Sequence, residues 1–246
     1  MTIRNTTTYL ALLLCFTFFM PACAQTEAPQ TTENADRYET KRASRDGIGK
    51  FYMGREISHV MGFAGAAWLE RTERDAEEAT SALVSALPLE EDDVVADIGA
   101  GTGYFTFRMA PRVPQGKVLA VDIQQEMLDV MAARIERGNV QNVALIQGSE
   151  TSPNLPADSM DLILMVDVYH ELAYPYEMGQ AMVRALNQGG KFVLIEYRGE
   201  DPRVPIKPLH KMTEAQARKE MEAAGLRWVE TRDFLPQQHF MVFEKP

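Results

Sequence analysis

Three glycines at every second position, Gly99, Gly101 and Gly103, follow Asp97 in the stretch VVADIGAGTGYFTF (94–107). An apolar run that ends in a glycine turn before a helix points backbone N–H groups and the positive helix end at a ligand above it. The spacing here is G-x-G-x-G, whereas dinucleotide sites use G-x-G-x-x-G. The tighter turn with an acid beneath it suits a ligand that ends in an amino acid rather than in a pyrophosphate.

A second acid closes the next apolar run, KVLAVD, where Asp122 follows Gly103 by 19 residues. A carboxylate at that point of an α/β unit can accept hydrogen bonds from both hydroxyls of a ribose. Two structural alternatives stay open, in which Asp97 caps the glycine turn and Asp122 caps the following helix. The glycine spacing and the two acids together favour a bound cofactor.

With these residues in place, the chain resembles the class I S-adenosylmethionine-dependent methyltransferases of the small-molecule type. DIGAGTGYF is similar to their motif I, VLAVDI to the strand that carries the ribose-binding acid, and MDLILMVDVYHEL to their strand-four motif. The resemblance runs from about residue 90 to 246, and weaker helical similarity reaches back to about 47. It implies a Rossmann-like fold and S-adenosylmethionine as the cofactor.

The resemblance also implies a role for each residue of a cofactor site. The glycines let the backbone approach the methionine moiety, Asp97 contacts its amino group directly or through water, and Asp122 holds the ribose. Ser149 stands where the family's adenine-binding Asp is commonest, so this role passes to Glu150, for which a solvated loop acid is the alternative. The implied cofactor-binding residues are Asp97, Gly99, Gly101, Gly103, Asp122, Glu150 and Asp167, the last beside the sulfonium.

Methyl transfer from a sulfonium is an in-line displacement, so the protein mainly aligns the acceptor and, where needed, removes its proton. The candidate catalytic residues are His170, Glu171 and Glu196, because DVYHEL and IEYR follow or end apolar strands. His170 suits a base, since its ordinary pKa is near neutrality. In the alternative, His170 bonds a loop carbonyl and fixes the wall of the pocket. The two glutamates would orient it or bind a cationic acceptor.

No metal site is predicted, because His59, His170 and Glu171 lack ligand spacing and neighbouring side chains point different ways on a regular element. The proline-stiffened segment VPIKPLHKM (204–212) brings Lys207, His210 and Lys211 close together. It either approaches the same cleft, where it would favour an anionic acceptor, or forms an exposed basic loop.

Apolar strands that alternate with helical patterns predict an α/β fold, a mostly parallel sheet with helices on both faces. The resemblance makes this a seven-stranded, Rossmann-like sheet in residues 90–246. Two final strands, 227–234 and 238–244, are expected to pair so that the last strand is antiparallel. Residues 47–89 are predicted to form an N-terminal helical lid or extension, and the polar residues 25–46 a flexible linker.

Residues 1–24 have the pattern of a signal peptide, with one charge, a 12-residue apolar stretch and a small-x-small site before Gln25. Cleavage after Ala24 predicts an exported, periplasmic protein. Lipidation at Cys23 is the alternative and would attach the protein to a membrane. Both cysteines lie in this leader, which excludes a thiol nucleophile in the mature chain. The net charge of −10 argues against nucleic acid as a partner, and the oligomeric state stays open.

Two functions therefore remain for this chain. The first is methyl transfer to a small-molecule acceptor, and the second is an exported, non-catalytic binding protein that retains the fold. Dense polar clusters at strand ends favour catalysis, because burying such groups without a task is unfavourable.

Overall fold

The computed structural model describes residues 37–246, which form ten β-strands and seven α-helices. The strands are β1 (Tyr38–Thr40), β2 (Gly47–Tyr52), β3 (Arg55–Ser58), β4 (Val94–Ile98), β5 (Lys117–Asp122), β6 (Val143–Gln147), β7 (Met160–Val166), β8 (Leu186–Tyr197), β9 (Arg227–Arg232) and β10 (Gln238–Glu244). The helices are α1 (Ala66–Leu69), α2 (Arg74–Glu78), α3 (Thr80–Ala86), α4 (Thr106–Met109), α5 (Gln125–Gly138), α6 (Pro175–Ala185) and α7 (Glu214–Ala224). The predicted leader and Cys23 lie outside the described residues.

The main sheet has seven strands in the order β6-β5-β4-β7-β8-β10-β9. Neighbouring strands from β6 to β8 are parallel, and β10 is antiparallel to both β8 and β9. The predicted α/β, Rossmann-like fold with an antiparallel last strand is confirmed. The strand order reverses between β4 and β7, which is where open sheets of this kind bind ligands.

Helices cover both faces of the sheet, as the continuous apolar strands require. Consecutive residues Ile163 and Leu164 of β7 point to opposite faces. Ile163 packs in one cluster with Met182 of α6 and Met221 of α7, whereas Leu164 belongs to a second cluster that includes residues from α3 and α4. Within residues 37–246, no helix combines the length and apolarity needed to cross a bilayer.

The N-terminal extension begins differently from the prediction, since β1, β2 and β3 form a small antiparallel sheet. Met53 and Gly54 both have positive φ and make the tight turn of the β2–β3 hairpin. Tyr38 lies inside the predicted linker 25–46, but it belongs to β1 and pairs with Tyr52 of β2. Its hydroxyl donates a hydrogen bond to Glu177. Long-range pairing thus orders a segment whose polar composition predicted none.

Three short helices, α1, α2 and α3, lie within residues 66–86 of the predicted helical extension. The break between α2 and α3 falls at Ala79, which has a φ of +52°. The carboxylate of Asp75 accepts hydrogen bonds from the Ser81 amide (2.6 Å) and the Thr80 hydroxyl (2.8 Å), so it caps α3.

Candidate functional site

A cavity of about 430 Å³ lies at the carboxyl ends of β4 and β7, where the strand order reverses. Its wall is built from the glycine turn after β4, the end of β5, the loop after β6 and the turn after β7. Residues from α1, α2 and the segment 205–210 complete the wall. The predicted site residues that line it are Asp97, Gly99, Gly101, Asp122, Glu150, Asp167, His170 and Glu171.

The glycine turn brings bare backbone against the cavity. Gly99 and Gly101 have φ values of +70° and +56°, a region that favours glycine. A Cβ on Gly101 would lie 2.6 Å from Leu69 Cδ1, and one on Gly99 would lie 2.5 Å from Val168 Cγ2. Gly103 is outside the wall, and a Cβ there would meet the Phe107 ring at 2.6 Å. The third glycine therefore serves packing around α4.

Asp122 holds the glycine turn from below. Its carboxylate accepts hydrogen bonds from the Gly101 amide at 2.8 Å and the Gln124 amide at 2.9 Å. Only the Gln124 contact lies at the start of α5, as the helix-cap alternative expects. The carboxylate has further lone pairs for a ribose. Burial raises the pKa of Asp122.

Asp97 is buried behind the same turn and accepts a hydrogen bond from the Thr106 hydroxyl at 2.6 Å. Burial raises the pKa of its carboxyl group to about 6. Asp97 is therefore an acid whose charge is available to a cation in the cavity only near neutral pH or above.

Asp167 directly follows β7, and one of its carboxyl oxygens has no hydrogen-bond partner in the protein. Its Oδ2 accepts a hydrogen bond from the side-chain amide of Gln238 at 2.6 Å. Its Oδ1 has no hydrogen-bond partner and is shielded from solvent. Burial and the negative charge of Glu78 raise the pKa of Asp167 well above its usual value. A φ of +54° adds strain at this residue, and such strain is common at functional sites.

The loop after β6 supplies the part of the wall predicted to bind adenine. Ser149 and Glu150 both line the cavity, and Glu150 is exposed. The Ser149 hydroxyl accepts a hydrogen bond from the Ser152 amide at 3.0 Å and so shapes the turn.

A histidine–carboxylate cluster contributes another part of the wall. His170 is buried in the 3₁₀ turn Tyr169–Glu171, and its Nδ1 lies 2.6 Å from Oε2 of Glu196 on β8. Its Nε2 lies 3.2 Å from Nδ1 of His210, in the 3₁₀ turn Pro208–His210. Glu171 Oε1 lies 3.7 Å from His170 Nε2 and 3.4 Å from His210 Nδ1. Glu196 is fully buried behind His170 and acts on the cavity only through it.

The charges of this cluster fix its protonation. Burial lowers the pKa of His170, but the charges of Glu196 and Glu171 outweigh burial and raise that pKa to about 10. Burial also opposes ionisation of Glu171, yet hydrogen bonds with His170 and His210 lower its pKa to about 2. With nothing else bound, His170 holds its proton at neutral pH and must release it before it can act as a base.

A buried ion cluster at the floor of the cavity was missed by the sequence reasoning. Glu78 pairs with both Arg71 and Arg74, and it accepts a hydrogen bond from the Tyr197 hydroxyl at 2.8 Å. Charges at i and i+4 look alike in sequence whether the face is covered or exposed, so no local signal identifies them.

The N-terminal extension contributes residues to the wall of the cavity. The Met61 amide donates a hydrogen bond to Glu171 Oε2 at 3.0 Å, and Gln124 Nε2 donates to the Met61 carbonyl at 3.1 Å. Trp68 and Leu69 also line the cavity. Residues of the N-terminal extension therefore form part of the cavity wall.

Parts of this chain are similar to known methyltransferases. Residues 95–190 match a family described as a methyltransferase domain. The chain is 33% identical over 109 residues to an uncharacterized methyltransferase, YcgJ, of Bacillus subtilis, covering 44% of this chain and 42% of that protein. It is 26% identical over 113 residues to the demethylmenaquinone methyltransferase of Lactococcus lactis, covering 46% and 44%. The chain thus spans less than half the length of these curated relatives.

A crystal structure of a SAM-dependent methyltransferase from Aquifex aeolicus has a similar fold. The TM-score is 0.71 at 21% identity, and the match covers 76% of this chain and all of that one. This chain therefore has a segment, residues 95–190, that matches a methyltransferase domain, and it shares its fold with a known methyltransferase.

Proposed function

We propose that this protein transfers the methyl group of S-adenosylmethionine to a small-molecule acceptor. The observation that carries the proposal is a single cavity whose wall contains both the cofactor-type residues and the histidine–carboxylate cluster. This cavity is lined by the glycine turn and Asp122 and also by His170 and Glu171. A volume of about 430 Å³ falls in the range of small-molecule sites.

The wall fits the three parts of the cofactor. Gly99 and Gly101 leave a cradle that a Cβ would obstruct, which suits the methionine end, with Asp97 behind it for the ammonium group. Asp122 has lone pairs left for the ribose hydroxyls. Glu150, in the loop after β6, lines the cavity where it could bind the adenine. When bound, the sulfonium supplies an activated methyl group.

The remaining tasks belong to the protein's own residues. His170, fixed by Glu196, and Glu171 face the cavity and can orient an acceptor or take up its proton once His170 is deprotonated. Trp68 and Leu69 help to exclude water. Enclosure by the N-terminal extension and a net charge of −10 favour a small acceptor over nucleic acid.

Two glycine variants with the same backbone strain test the cofactor part of the proposal. Gly101→Ala and Gly189→Ala both place a side chain at positive φ, but a Cβ at Gly189 meets nothing within 4 Å. We expect calorimetry with S-adenosylhomocysteine to show binding to wild type and Gly189→Ala and at least about tenfold weaker binding to Gly101→Ala. No binding by wild type, or equal binding by both variants, would contradict the proposal.

Transfer is tested separately with methyl-labelled cofactor and the small-molecule fraction of a cell extract. Wild type should label an acceptor, whereas His170→Ala and Glu196→Ala should bind cofactor without transferring label. Cofactor binding by wild type without any transfer would instead support the non-catalytic binding protein.

A further inference from the structure

We propose that His170, Glu171 and His210 bind a divalent transition-metal ion, of which zinc is the best fit, on the wall of the cavity. Within residues 37–246, the ligand atoms of this trio all lie within 4.8 Å of one another. The site goes beyond the proposed function, because metal binding requires neither cofactor nor acceptor.

The distances match one face of a tetrahedral coordination sphere. His170 Nε2 lies 3.2 Å from His210 Nδ1 and 3.7 Å from Glu171 Oε1. The distance from His210 Nδ1 to Glu171 Oε1 is 3.4 Å. Ligands about 2.0–2.1 Å from a tetrahedral zinc ion lie about 3.3–3.4 Å apart. An ion can therefore contact all three atoms after shifts of a few tenths of an ångström.

The donor set is one that zinc prefers. Two imidazole nitrogens and one carboxylate oxygen form the His₂Glu combination found in catalytic zinc sites, which keep a fourth position open. All three residues line the cavity, so the open position is accessible from it.

Neighbouring groups hold two of the three ligands in place. Glu196 Oε2 lies 2.6 Å from His170 Nδ1, which leaves Nε2 as the ligand atom once metal binding displaces its proton. A carboxylate on the far nitrogen of a metal-binding histidine is a common arrangement, since it fixes ring orientation and tautomer. The Met61 amide occupies the other oxygen of Glu171, Oε2, at 3.0 Å, and leaves Oε1 toward the histidines.

No metal site was predicted from the sequence because His59, His170 and Glu171 lack ligand spacing and neighbouring side chains on a regular element point different ways. The fold supplies the third ligand from a segment 40 residues away. The 3₁₀ turn at 169–171 lets the side chains of His170 and Glu171 converge on it.

A bound ion would give the site a way to activate an acceptor, an extension that rests on the proposed function. An acceptor hydroxyl on the open position loses its proton to water more readily. Its oxygen then bonds to the methyl carbon while the carbon–sulfur bond breaks and its electron pair returns to sulfur.

The test uses Zn²⁺ alone, by calorimetry and elemental analysis of tag-free protein, and Co²⁺ as a spectroscopic probe. We expect one equivalent of Zn²⁺ and the visible bands of tetrahedral Co²⁺. His210→Ala and Glu171→Gln should each weaken binding by about tenfold or more. His239→Asn is the matched control, because His239 Nε2 lies 2.8 Å from Glu200 Oε2 without belonging to the trio.

Calorimetry with S-adenosylhomocysteine on the same variants checks folding and separates this site from the cofactor site. Retained cofactor binding with lost Zn²⁺ binding supports the metal site. No stoichiometric Zn²⁺ in wild type would overturn the proposal, as would equal loss in His239→Asn or equal Zn²⁺ binding by all variants. None of these results depends on whether methyl transfer is observed.

Discussion

Asp97 should make cofactor affinity depend on pH. Burial raises the pKa of its carboxyl group from 3.8 to about 6, and only the ionised form attracts the ammonium end of the cofactor. With that pKa, about one molecule in eleven is ionised at pH 5 and about ten in eleven at pH 7. Affinity for S-adenosylhomocysteine should therefore rise about tenfold between these pH values.

Stability of the cofactor-free protein should change in the opposite direction. Below about pH 3.8 Asp97 is protonated in both folded and unfolded chains and has no effect. As the pH rises to about 6, the unfolded chain loses this proton first, so folding becomes less favourable by up to about 3 kcal/mol. Asp97→Asn should remove that loss and be stabilising near pH 8 but not near pH 4.

Calorimetry at about pH 5, 6 and 7 and urea unfolding of the empty protein would measure both effects in wild type and Asp97→Asn. Burial also raises the pKa of Asp122, so the difference between the two proteins isolates Asp97. The reasoning fails if Asp97→Asn shows the same tenfold rise in affinity, or if the variant gains no stability at high pH.

Two further predictions concern Glu78 and Trp68, which both line the cavity. Glu78→Gln should lower the free energy of unfolding by about 3–5 kcal/mol, because it leaves the buried Arg74 without its carboxylate. Glu77→Gln, next to it on the surface, should cost less than about 1 kcal/mol in the same urea titration, and similar losses would refute the distinction. Cofactor binding should change the tryptophan fluorescence through Trp68 on the cavity wall, so that Trp68→Phe abolishes the signal. Trp228→Phe, on the edge strand β9, should retain it, and the reverse result would place the cofactor elsewhere.

Local sequence patterns were sufficient for the main sheet and for one half of the site. The apolar runs of β4 and β5 stand next to each other in the chain and each ends in an acid, so a glycine turn between them fixes the geometry over short distances. For this reason Gly99, Gly101 and Asp122 lie where the pattern predicts. The hairpin of β2 and β3 carried a local signal too, the Met53–Gly54 turn, although residues 47–89 were predicted to form a helical lid or extension.

The other half of the site depends on contacts between distant segments. His170 and His210 are 40 residues apart, and Glu171 reaches the N-terminal extension through Met61 more than 100 residues away. No periodicity links such positions, because their proximity depends on how loops pack after the sheet has formed.

Burial of charge was likewise decided by tertiary structure. Arg74 and Glu78 form the same i,i+4 pair on an exposed helix or under a cover, and only the neighbouring Tyr197 strand end and the cavity wall make it a buried pair. The sequence by itself therefore determined the fold and the cofactor-type turn, since both arise from nearby residues. The tertiary structure alone decided which charged side chains meet, because desolvation and pairing depend on everything packed around them.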